Sequence, residues 1–104
     1  MSENNYFTFA NVTFPSEGDY KLWAEKVALF NSEKAMNFLQ KSGQVNFSCI
    51  RVNDDNVIRI LIVWEYADEA SFQRCQELWA KWGDVAGDFI SKITFHRGSK
   101  FYGW

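Results

Sequence analysis

The segment "VIRILIVWEY", residues 57–66, limits the possible folds more than any other part of this chain. Read in alternation, one face carries Ile58, Ile60, Ile62, Trp64 and Tyr66, and the other carries Val57, Leu61 and Val63. A strand that is apolar on both faces belongs in the middle of a sheet, where neither face is left to water. The chain must therefore supply further strands on either side of it and cover for both faces.

The rest of the sequence supplies these in a definite order. "YFTFANVTF" (6–14) alternates and is rich in Phe, Thr and Val, so it reads as a strand. One of its faces carries Phe7, Phe9, Asn11 and Thr13; the other carries Tyr6, Thr8, Ala10, Val12 and Phe14. "PSEGD" (15–19) is a turn with Asp19 as the candidate N-cap. From Tyr20 to Lys41 the period is helical, with Tyr20, Trp23, Ala24, Val27, Phe30 and Phe38 on one broad stripe. Leu22, Leu29 and Met36 fall on the opposite side. Either that side is covered too, or the helix breaks near "NSE" (31–33), where Asn31 or Ser32 could cap a second one. Gly43 is a stop signal.

"QVNFSCIRV" (44–52) is a second strand, joined to residues 57–66 through the turn "NDDN" as a hairpin. Asp68 caps a helix on which Phe72, Cys75, Trp79, Trp82, Ala86 and Phe89 recur at steps of three and four. Gly83 and Gly87 weaken it late, so it is expected to end near Trp82 and resume as a short turn. "SKITFHR" (91–97) is a fourth strand, broken by Gly98.

The order β-α-β-β-α-β is the split βαβ arrangement, and right-handed crossovers put both helices on one face of a four-stranded antiparallel sheet. The expected fold class is thus α+β, ferredoxin-like, as a single domain over residues 1–104. The second sheet face is left bare, with Val57, Leu61, Val63, Val12 and Phe14 as its candidate residues. A bare apolar face must find cover. A second copy of the chain is the simplest cover, which predicts a homodimer built as an α/β barrel.

A net charge of −2 leaves no basic surplus for a phosphate backbone, so nucleic acid is excluded as a partner. The longest apolar run, Ile60–Trp64, is too short to span a bilayer, so no membrane role is expected. "MSENNYF" shows no signal pattern, and the expected location is cytoplasmic. Cys49 and Cys75 form no disulfide framework, and one His with two separated Cys makes no standard zinc site.

In "FANVTF" (9–14), "SGQVNFSCIRV" (42–52) and "VWEYADEASFQRC" (63–75) the chain resembles the dimeric α/β-barrel proteins of the antibiotic-biosynthesis-monooxygenase type. The similarity rests on Asn11, Gly43, Trp64, Glu65 and Phe72. That family includes cofactor-independent oxygenases of polycyclic phenols, haem-degrading monooxygenases and proteins without known activity. The resemblance implies a pocket between the sheet and its own helices, lined by Asn11 and Trp64. The family's helix-borne His is absent, and Cys75 stands three residues after the signature Phe72. No haem is therefore expected, and no other cofactor.

Two functions follow as expectations. The first is an apolar small-molecule binder, in its most specific form a cofactor-independent monooxygenase in which a substrate phenolate gives an electron to dioxygen. Asn11 and Trp64 are its catalytic candidates, and Phe7, Phe9, Phe38, Cys75, Trp79 and Trp82 its substrate-binding candidates. The second is a non-catalytic dimeric binding or stress-associated module in which those aromatics fill the core. His96, the one histidine, points outward or into the barrel. Arg59 and Arg97 are read as interface or rim charges, with an anion site as the alternative. The tail "GSKFYGW" (98–104) carries Phe101, Tyr102 and Trp104, and is expected to pack at or across the dimer interface.

Overall fold

The computed structural model describes residues 5–30, 32–53 and 56–103, leaving out the side chains at 29, 30, 85 and 86. Asn31 as a cap, the inward placement of Phe30 and Ala86, the outward placement of Leu29, and Trp104 in the tail lie outside the described residues.

Ser16, rather than Asp19, starts the first helix. Its Oγ accepts from the Asp19 N–H at 3.1 Å, and its hydroxyl donates back to Asp19 Oδ2 at 2.6 Å. Asp19 is thus the third residue of α1 (Glu17–Phe30), tied to the cap through both its backbone N–H and its carboxylate. The helical stretch does break. Ser32 caps α2 (Glu33–Lys41), with its Oγ accepting from the Ala35 N–H at 3.2 Å. The break resets the helical phase, so Leu39 is buried and Phe38 is 49% exposed. Gly43 then turns the chain at φ +106°, where an added Cβ would sit 2.0 Å from Ser71 Oγ.

The sheet consists of β1 (Tyr6–Phe14), β2 (Gln44–Arg51), β3 (Ile58–Tyr66) and β4 (Lys92–Ser99), antiparallel in the order β2-β3-β1-β4. β1 and β3 are the central pair, as the doubly apolar character of β3 requires. Gly98 does not end β4. It pairs with Phe7, and an added Cβ would meet nothing within 4 Å, so its place in the ladder is unstrained. α3 (Glu69–Ala86) is capped by Asp68, whose Oδ1 accepts from the Ser71 N–H at 2.7 Å. It runs past Trp82 and Gly83 before a 3-10 turn over Gly87–Phe89. Together these elements form the α+β ferredoxin-like βαββαβ fold, with α1 and α2 sharing the first crossover.

Register decides which face is inside. Thr8 pairs with Trp64, Ala10 with Ile62 and Val12 with Ile60, and these even-numbered residues lie beneath the helices. Val12 and Phe14 are therefore core residues, 0% and 5% exposed, and not part of the bare face. The bare face carries Phe7, Phe9, Asn11, Leu61 and Val63, with Ile50 on β2 and Thr94 and His96 on β4. Burial of Ile60, Ile62, Trp64 and Tyr66 against Trp23, Leu39, Cys75 and Trp82 forms the core. The cover stops short of β4, where Ile93 and Phe95 face the helix side yet remain 39% and 59% exposed.

Candidate functional site

The gap between α3 and β4 is a cleft of about 480 Å³. Its floor is built by strand register. Thr8 on β1 lies between Trp64 on β3 and Arg97 on β4, so these three side chains form one row across the sheet. Phe95 occupies the next row on β4. The wall is the face of α3 that carries Phe72, Trp79 and Trp82, and Gly83 leaves a low place in it.

Aromatic contacts fix the shape of this site. Trp64 meets Trp79 edge-on at 5.8 Å and lies 6.3 Å from Phe95. Trp79 and Trp82 cross at 89°, 5.7 Å apart. Trp79 is held from behind, since its indole N–H donates to Gln44 Oε1 at 2.9 Å. The Gln44 amide in turn donates to the carbonyls of Asn46 and Glu65 at the register shift in β2. This buried glutamine ties the α3 wall to the sheet and satisfies the backbone of the irregular strand.

The indole N–H of Trp64 is buried and has no hydrogen-bond partner among the described residues. Tyr66 lies at the base of the cleft and is 1% exposed. Burial pushes its phenol well above the ordinary value; the Cys75 thiol adds to the rise, and a hydrogen bond with Thr8 opposes it. Tyr66 therefore stays a neutral hydroxyl at physiological pH rather than a base. Among the described residues the cleft lining holds no Asp, Glu, His or Cys, and its cation on the helix side of β4 is Arg97; Lys92, at the rim, pairs with Thr13 and has bare-side parity. Such a site can hold, orient and hydrogen-bond a ligand, but it offers no carboxylate or imidazole for general base work.

Of the residues predicted from sequence, Trp64, Trp79 and Trp82 are brought together here. Asn11 is not, because it is one residue out of phase with Thr8 and Ala10. It faces the bare side, where its Oδ1 accepts from Arg59 Nη1. Phe7 and Phe9 follow it for the same reason, and Phe9 stacks on His96 there at 6.1 Å. Phe38 is exposed on α2. Cys75 sits wholly inside the core, its Sγ 3.9 Å from the Leu39 carbonyl, and burial is the main cause that raises its thiol pKa. It is neither a cleft residue nor a poised thiolate.

Thr8 and Phe95 were not legible as site residues, and Arg97 was legible only through the anion-site alternative. The lining role of Gly83 had a signal, an exposed small residue beside the aromatic stripe of α3.

Among the described residues no helix is long and apolar enough to cross a membrane, and no cluster of three His, Cys, Asp or Glu could hold a metal.

Comparison with known proteins matches residues 3–99 to a family described as Domain of unknown function (DUF6974). No curated protein matches the sequence. Among solved structures, a dimeric ferredoxin-like protein from an uncultured marine organism is 23% identical, with a TM-score of 0.87 over 98% of this chain and 92% of that one. A provisionally named antibiotic biosynthesis monooxygenase from Nitrosomonas europaea is 14% identical, with a TM-score of 0.76 over 98% and 95%. A variant of SnoaB, a cofactor-independent oxygenase from Streptomyces nogalater, is 12% identical, with a TM-score of 0.70 over 97% of each chain. At these identities the likeness is one of fold, and it bears out the resemblance read from the sequence at that level.

Proposed function

The chain belongs to the DUF6974 family, and from that premise we propose that it is a homodimeric small-molecule-binding protein whose site is the cleft between α3 and β4. The observation that carries this reading is the open cleft of about 480 Å³ between α3 and β4, lined by Trp64, Trp79, Trp82 and Phe95. The volume falls within the usual range for ligand pockets, and apolar walls with a few polar groups are their usual lining. An open cleft of this size speaks against a protein whose rings merely fill its core. The homodimer reading is supported by the apolar bare face and by the dimeric state of the marine relative.

The specific form of the reading is oxygenation without a cofactor. A polycyclic phenol, ionised to its phenolate, is itself the electron donor to dioxygen. The protein's part is to exclude water, hold the ring system between Trp79 and Phe95, and place neutral donors near the developing negative charge. The hydrogen-bonded hydroxyl pair of Thr8 and Tyr66 is the neutral donor group at the cleft floor, and it takes the polar role first expected of Asn11.

Titrating a tricyclic phenol while following tryptophan emission tests the binding step. Saturable quenching is expected, and Gly83→Phe should abolish it. Gly83 lines the cleft and has nothing within 4 Å of an added Cβ, so the new ring obstructs the site without crowding the core. No saturable quenching, or quenching unchanged in Gly83→Phe, overturns the site. Binding without stoichiometric oxygen uptake removes the oxygenase form and leaves a binding protein.

A further inference from the structure

We propose that the ligand of this cleft is an aromatic carboxylate, with its anionic group held at Arg97 and its rings lying between Phe95 and the aromatic wall of α3. This rests on the cleft being a ligand site, and it adds the charge and the direction of the ligand.

The distribution of charge is the first observation. The protein is net acidic, with 13 Asp and Glu against 11 Lys and Arg. Yet among the described residues the cleft lining contains not one carboxylate, while Arg97 reaches it from the helix side of β4. Arg97 makes no ion pair among the described residues, in contrast to Arg51, which pairs with Glu17. A site that holds a cation and no carboxylate, against the sign of the whole chain, favours an anion.

Register is the second observation. Trp64, Thr8 and Arg97 are consecutive across three strands. Neighbouring strands lie about 4.8 Å apart, so the row places the Trp64 ring, the Thr8 side chain and the Arg97 guanidinium across roughly 10 Å of the cleft floor. The guanidinium is a donor outright, in a fork that matches the two oxygens of a carboxylate. A carboxylate held at that end of the row leaves the Trp64 end for the ligand's rings.

The third observation concerns Arg97 itself. Its guanidinium carbon lies 4.8 Å from the centre of the Phe72 ring. Stacking on a ring holds the planar fork at one end of the cleft and leaves its N–H edge for a planar partner. Lys92, five residues away along β4, has the opposite parity and shares the bare side with Thr94 and His96. Ring surfaces line the cleft away from Arg97: Phe95 and Trp64 on the floor, Trp79 and Trp82 on the wall. A ligand that places a carboxylate at Arg97 would lay its rings along that space.

The test compares anthracene-2-carboxylate with its neutral carboxamide, two probes of nearly one shape. Binding is followed by calorimetry and by the tryptophan indole N–H resonances. A charge-assisted pair favours the carboxylate by roughly tenfold or more. That preference should shrink with added salt, vanish in Arg97→Gln and survive in Lys92→Gln. Arg97 is exposed, so its replacement leaves the core intact. Equal affinities for acid and amide, both lost in Gly83→Phe, overturn the carboxylate inference and leave the binding cleft standing. A preference abolished by Lys92→Gln and untouched by Arg97→Gln overturns the assignment to Arg97. Failure of both probes, with the fold intact by circular dichroism, overturns the aromatic carboxylate, and loss of phenol quenching as well would remove the cleft.

Discussion

Ile62 and Leu61 are neighbours on one strand, yet the first has no exposed surface and the second is 37% exposed. The whole sheet divides in this way. Its helix side holds a core packed around Trp23, Trp64, Cys75 and Trp82, and opens only where the helices end short of β4. Its other side is a flat field of Phe7, Phe9, Ile50, Leu61 and Val63, with an Asn11–Arg59 hydrogen bond set in it. Both sides are apolar, so hydrophobicity does not distinguish them. Cover does. One side is occupied by the chain's own helices, and the other is left without cover from its own chain. In the proposed reading the ligand site lies where that cover is incomplete, and the assembly surface where it is absent.

The sharpest way to break the comparison is to truncate one residue on each side. Ile62→Ala should lower unfolding stability by about 2–5 kcal/mol, the range for buried aliphatic truncations. Leu61→Ala should cost the isolated protomer less than about 1 kcal/mol. Urea melts at low protein concentration measure both, and equal losses would mean that the bare face is already packed within one protomer. Placing a charge there, as Leu61→Asp, should leave the protomer folded and raise the dimer dissociation constant by at least tenfold in sedimentation.

The tail sharpens the same contrast with a smaller expected effect. Phe101 and Tyr102 are 93% and 77% exposed in the single chain. If a second copy covers them, removing residues 101–104 weakens dimerisation several-fold while leaving helix and strand content unchanged. An unchanged dissociation constant by sedimentation would show that the tail takes no part in assembly.

The smallest effect concerns pH and belongs to the helix side alone. Burial raises the Tyr66 phenol in the folded chain. Below the unfolded value of about 10 the group is protonated in both states and stability does not depend on it. As pH rises above that value, the unfolded chain releases a proton that the folded chain keeps, and stability falls. Melts of the native chain and Tyr66→Phe at pH 8 and pH 11 should show a shallower alkaline loss in the variant. Parallel losses would mean that Tyr66 is no more shielded than an exposed tyrosine.

Much of this molecule is determined by sequence periodicity. The alternation in β1 and β3, the Asp68 cap, the turn at Gly43 and the aromatic stripe of α3 are local features. Each depends on a few consecutive residues and their backbone preferences. They were enough for the βαββαβ order, for the central place of β3 and for the grouping of Trp64, Trp79 and Trp82. The parity of β1 was not local. Both of its faces carry large apolar residues, and a two-residue period cannot say which one meets the helices. Pairing of Thr8 with Trp64 settled that, and sent Asn11, Phe7 and Phe9 to the opposite side from the site expected for them. The phase of α2 was lost in the same way, because the break before Ser32 turned Phe38 outward and Leu39 inward. The row of Trp64, Thr8 and Arg97 joins three strands far apart in sequence, and only tertiary hydrogen bonding between those strands brings these residues side by side.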